Sequence, residues 1–159
     1  MTGQLLLWPS SLAPVLSVVV PGKPRAQGSM TLWRDDQGNE RAKYAAPVVA
    51  HRNLVVGALV AAWRGQAPLT GPVLVSVRLS FPRPRAHYRT GRYSDQLRPD
   101  APELHTQYPD LDKCLRLVFD ALTVAGVWAD DKQACDVTGG KRWGATGATH
   151  IQLLRRDAP

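Results

Sequence analysis

The stretch YPDLDKCLRLVFDALTVAGVWADDKQ, running from Tyr108 to Gln133, decides the fold. Leu111, Leu115, Val118 and Leu122 recur at steps of three and four, which predicts a helix with a core-facing stripe. Asp112 is placed to cap its amino end, where a carboxylate accepts from the free amides of the first turn. Asp112, Arg116 and Asp120 follow one another at i, i+4 on a different face. Gly126 suits the exit. Carboxylates flank the helix, with Asp110 and Asp112 at its start and Asp130 and Asp131 beyond its end. A helix of about fourteen residues spans roughly 20 Å. The two acidic pairs therefore meet only if the chain doubles back after Gly126, as a helix, a tight turn and an antiparallel strand would allow.

The flanking sequence predicts the remaining elements. VLSVVV, residues 15–20, reads as a β-branched strand stopped by Pro21 and Gly22. A turn signal lies around Asp36 to Asn39. APVVAHRNLVVGALVAAW, residues 46–63, reads as a helix opening near Pro47, with Leu54, Ala58, Ala61 and Ala62 as the expected buried stripe. GPVLVSVRLSFP, residues 71–82, reads as a strand with Val73, Val75, Val77 and Leu79 on one face. From Pro82 to Pro109 the chain is basic and proline-rich, and a connection of that length is usually functional or disordered. Residues 134–156 read as two short strands around a glycine-rich turn. The expectation is an α+β fold: one small mixed sheet packed with helices over residues 15–159, preceded by a loosely attached tail at 1–14.

At 159 residues the chain is long enough to bury a core in one domain. The first twenty residues contain no Lys or Arg and are interrupted by Pro9 and Pro14, which argues against a signal peptide or a membrane helix. Cys114 and Cys135 are too few for a disulfide framework and are expected as small core residues in a cytoplasmic protein. The four histidines are scattered without zinc spacing. The formal charge of +7 points to a polyanionic partner, nucleic acid first.

Carboxylates gathered in a basic chain repel one another unless a cation sits among them. Oxygen ligands suit Mg²⁺ or Mn²⁺, which polarise phosphoryl oxygens and activate water. With a basic surface, that combination points to phosphodiester hydrolysis. The bland alternative is a capped helix and a solvated acidic turn, because a DxD pair alone is a weak signal.

The run PDLDKCLRLVFDALTVAGVWADDKQ resembles the signature of the RusA-type Holliday junction resolvases: P-D-x-D-N, a helix with a basic residue, D-A-L, a G-x-W segment and D-D-x-Q. The likeness extends more loosely to VPGKPRAQGS near the start and to Lys141 near the end. It implies a homodimer that cuts branched DNA, four-way junctions above all, with a divalent cation. It places catalytic and metal-binding roles on Asp110, Asp112 and Asp131, with Asp130 adjoining. The family's helix lysine falls at Arg116, which keeps the charge but cannot readily supply a proton. The asparagine after the second aspartate is Lys113 in this chain. Lys23, Arg25, Arg83, Arg85, Arg89, Arg92, Lys113 and Lys141 are the expected DNA-binding residues. Tyr88 and Tyr93 are candidate wedges against an unstacked base. The alternatives are a nuclease for other branched or flapped DNA and a non-catalytic DNA-binding module of the same fold.

Overall fold

Strand β1 (Leu16–Pro21) shows how the sequence sets the layers: Leu16, Val18 and Val20 are buried while Ser17 and Val19 are exposed. The period of two gives one dry face and one wet face. The chain continues through a hairpin of β2 (Thr31–Arg34) and β3 (Glu40–Lys43), helix α1 (Ala46–Trp63), β4 (Val73–Pro82), helix α2 (Leu111–Val124), β5 (Ala134–Gly144) and β6 (Ala148–Arg155). The computed structural model describes residues 13–28 and 30–155, so the expected tail lies outside the described residues up to residue 12.

The main sheet has the order β1-β6-β4-β5. β6 is antiparallel to both β1 and β4, and β5 is parallel to β4. The chain is thus an α+β protein with a mixed sheet, as expected. The last two strands are not neighbours, however, because β4 lies between them. Their connection must cross the end of β4, and glycine makes that possible. A Cβ on Gly144 would collide with Ser80 Oγ, and one on Gly147 would lie 2.7 Å from the Lys23 backbone.

Both long helices cover one face of the sheet. Val73, Val75, Val77, Leu79 and Phe81 of β4 meet Cys114, Leu117, Val118, Ala121 and Leu122 of α2 in a single core. The buried side of α1 is His51, Val55, Leu59 and Trp63, not the expected Leu54, Ala58, Ala61 and Ala62. Leu54 and Ala61 are exposed. A helix that is apolar all round carries no sequence signal for its inner face. α1 is long and apolar enough to cross a membrane by length and composition alone, with a mean hydropathy of 1.3. In this fold it packs on α2 and β1.

The chain doubles back after α2 as the acidic pairs require. Gly126 takes a positive φ of 69°, a conformation that suits glycine. Val127 and Trp128 are then buried. Trp128 Nε1 donates to Thr123 Oγ1 at 2.8 Å, and its ring meets Phe119 edge-on. β5 returns beneath α2 so closely that a Cβ on Gly139 would sit 3.3 Å from Leu115 Cδ1. Cys114 is buried as expected, but Cys135, on the edge strand β5, is exposed.

The 82–109 segment is ordered. Short 3-10 turns at Arg85–His87 and Gly91–Tyr93 are joined by Arg89 N–H to Gln96 O and Arg98 N–H to His87 O. Its return limb pairs with the free edge of β5, through Trp143 N–H to Glu103 O and His105 N–H to Lys141 O. His105 stacks on Phe81 with centroids 4.0 Å apart and leans on Trp143, whose ring also meets His87 edge-on. This aromatic cluster supplies the buried apolar area that the segment's composition conceals, and it protects an edge strand that would otherwise be open.

Candidate active site

Helix α2 begins at Leu111, so Asp110 occupies the cap position and Asp112 lies in the first turn. The expected cap at Asp112 is therefore displaced by two residues, and the Asp110 side chain makes no capping bond. Its carboxylate turns instead to Lys113 Nζ at 2.7 Å. That hydrogen bond and the ammonium charge hold the Asp110 carboxyl below the usual carboxylate range and raise Lys113. Lys113 stands where the resembling family has asparagine, and it supplies Asp110 with a local cation.

Asp112 and Asp131 come together across two elements. Both line an open cleft of about 330 Å³ with Leu115, Arg116, Phe119 and Val137. Neither carboxylate takes part in an ion pair among the described residues. Arg116, one turn along α2 from Asp112, puts a positive charge at the same opening. Two exposed, acceptor-only carboxylates beside a guanidinium suit a divalent cation carrying a phosphate. Among the described residues, no three His, Cys, Asp or Glu side chains stand close enough to enclose a cation. Asp110, expected in the same group, is not among the residues lining this cleft, and its carboxylate pairs with Lys113.

The DDKQ run divides its work among neighbouring side chains. Asp130 caps the 3-10 turn Asp131–Gln133 and accepts from Lys132 N–H at 2.9 Å. This bond, first among several, lowers the Asp130 carboxyl. Gln133 Oε1 accepts from Ala129 N–H at 2.9 Å, and Gln133 Nε2 donates to Leu69 O at 2.8 Å. The turn is thereby tied to the chain entering β4, and Asp131 is left facing the cleft. Asp130, expected beside the metal, is occupied as a cap.

Lys141, expected to contact DNA, is directed to the backbone. Its Nζ donates to Gln107 O at 2.8 Å and to Pro109 O at 2.6 Å. It thereby anchors the residue preceding Asp110. Lys23 and Arg25 are exposed, alternating with buried Pro24 and Ala26, on a loop whose Gln27 N–H donates to Lys113 O at 3.0 Å. Both cations therefore face solvent close to the start of α2.

The arginines of the long segment first hold that segment together. Arg83 Nη1 donates to Pro102 O at 2.6 Å, Arg85 Nη1 to Ser94 O at 3.2 Å, and Arg89 Nη1 to Gln96 Oε1 at 3.2 Å. The Arg89 and Arg92 guanidiniums each lie 4.7 Å from the centre of the Tyr93 ring. Stacked in this way they keep in-plane donors available for phosphate, while Tyr93 has less open ring face to offer a base.

Residues that sequence reasoning passed over also belong here. Gln27 is 5% exposed, and its Nε2 donates to Tyr44 Oη at 3.2 Å and to Asp120 Oδ2. Asp120, read from spacing as a helix-surface charge, is thus a tie between α2 and the loop after β1. Arg52 lines a second cleft that shares Asp131. The available signal was its isolation: it is the one Asp, Glu, Lys or Arg in the eighteen residues of α1.

Residues 21–154 match the model of the family described as Endodeoxyribonuclease RusA. That span is most of the chain, and the protein belongs to the RusA endodeoxyribonuclease family. No curated protein matches the sequence.

Proposed function

We propose that this RusA-family endodeoxyribonuclease resolves four-way DNA junctions with a divalent cation, Mg²⁺ or Mn²⁺, in cytoplasmic recombination and repair. The observation that carries the reading is the cleft shared by Asp112, Asp131 and Arg116. Asp112 and Asp131 would hold the cation, and Asp110 would join them when Lys113 releases it. A cation bound there supplies charge to a phosphoryl oxygen and lowers the pKa of water. Arg116 donates to a non-bridging oxygen and stabilises the charge that develops as water attacks phosphorus and the strand's P–O bond breaks. Its guanidinium stays protonated, so the leaving oxygen takes its proton from solvent water.

Two paired cuts call for two sites, which supports the reading of a homodimer. The two apolar elements that could form such an interface are β4 and α1. β4 is central in the sheet and covered by α2, so α1 is the better surface. Leu54 and Val60 are 58% and 51% exposed on it, and Val49, Ala50 and Asn53 line a broad concavity beside Tyr44. The test is incubation of purified protein with a synthetic four-way junction, a flap and a linear duplex, with and without Mg²⁺. The account expects symmetric nicks in the junction only with Mg²⁺. Equal cutting of linear duplex, or none of any substrate, overturns it.

A further inference from the structure

We infer that Arg52 of α1 forms a second phosphate subsite, in the cleft that shares Asp131 with the Asp112 cleft; the inference rests on the nuclease reading above. This cleft holds about 310 Å³ and is lined by Arg52, Asp120, Thr123, Asp130 and Asp131, with Val124 and Ala129 completing its wall.

Three observations support it. First, Arg52 is the one residue with a full charge on an otherwise uncharged eighteen-residue helix. Second, its Nε–H is buried and meets no acceptor, and its guanidinium forms no ion pair among the described residues. A buried charged donor without a partner calls for an explanation, and an anion that enters from outside provides one. Third, the nearby carboxylates do not take that role. Asp120 accepts from the Gln27 amide, and Asp130 accepts from Lys132 N–H and pairs with its ammonium at 3.5 Å. Asp131 alone faces both clefts.

The ligand class follows from the charges. A free anion would be repelled by the carboxylates around Arg52. A phosphodiester strand already drawn to the Asp112 and Asp131 cleft with its cation reaches Arg52 without that penalty. The planar fork of a guanidinium fits two phosphate oxygens. Arg116 and Arg52 then hold the strand in the two clefts that Asp131 joins, one from each long helix.

The test measures wild-type protein, R52M and R52K on a four-way junction and on linear duplex, by anisotropy in Ca²⁺ over a range of monovalent salt, so that a divalent cation is present during binding, and by single-turnover cleavage in Mg²⁺. R52M is expected to reduce the slope of log K against log salt by about one unit, since one phosphate contact is lost. It also slows cleavage. R52K is expected to keep the slope but recover only part of the rate, because an ammonium cannot bind bidentately. If R52M fails to unfold cooperatively, R52Q is read in its place. A slope and a rate equal to wild type in the charge-removing variant overturn the subsite and leave the nuclease reading standing. Wild-type protein that binds neither DNA overturns both.

Discussion

Replacing Lys141 with methionine separates two roles that its position in the sequence confounds. A methionine keeps most of the stem and removes the ammonium. Two charge-assisted hydrogen bonds disappear, to Gln107 O at 2.8 Å and Pro109 O at 2.6 Å. Bonds to charged groups contribute about 1.5–3 kcal/mol each. The two share one donor group and the exposed Gln107 carbonyl can be rehydrated, so a net loss of about 2 kcal/mol is expected. For a chain of this size that lowers Tm by about 4–8 °C. Freed from its anchor, the backbone before Asp110 shifts, and single-turnover cleavage should fall by about 10- to 100-fold, the range for a misplaced catalytic group. Junction affinity and its salt slope should stay at wild-type values. Calorimetry, anisotropy across salt and rapid-quench cleavage read the three quantities. An unchanged Tm with a slope reduced by about one unit would show that Lys141 is a phosphate contact and refute the positioning argument.

Lys113→Asn should lower the Mg²⁺ concentration for half-maximal cleavage by a few-fold, because Asp110 loses its competing cation; an unchanged Mg²⁺ titration would count against the competition. Arg85→Ala with Arg89→Ala should flatten the salt slope and also loosen the 85–98 segment, visible as faster amide exchange at Arg89 and Arg98, since both side chains brace that segment; unchanged slope and exchange would make them ordinary surface. Burial, with Arg25 for His51 and Lys141 for His105, holds both histidines below their ordinary value of 6.5. The unfolded chain thus binds more protons, so stability is full above that value and falls as pH drops through the folded values. Tm measured between about pH 8 and pH 5 should decline toward acid, with a shallower decline in His105→Phe; an identical profile would exclude His105.

The layers of this protein were readable where burial alternates or repeats. β4 and α2 show their inner faces in Val73 to Leu79 and in Val118 and Leu122, while β1 was legible as a strand but not by face, because Val18, Val19 and Val20 are alike. α1 did not show its inner face either, because a helix of Val, Leu and Ala on every side is ambiguous until a partner covers one face. The insertion of β4 between β5 and β6 was also hidden, since strand order depends on long-range pairing. The site was legible as a pattern of aspartates and only in part as geometry. The DDKQ run does not reveal that Asp130 is a cap and Gln133 a clamp. Nor does spacing alone show that Lys113 reaches back three residues to capture Asp110. Arg52 was overlooked because a lone arginine in a helix usually means a solvated surface.

The central claim is that Asp112 of α2 and Asp131 before β5 act as one unit. A double-mutant cycle tests it: single-turnover junction cleavage by wild type, Asp112→Asn, Asp131→Asn and the double variant, at equal saturation with DNA. The account predicts that each single substitution lowers the rate by at least about 10³-fold and that the double variant is no slower than the worse single, as for residues that function together. Junction binding should be kept or tightened in all three, because each substitution removes negative charge. Losses that multiply in the double variant, or a single variant that cuts at close to the wild-type rate, would contradict it.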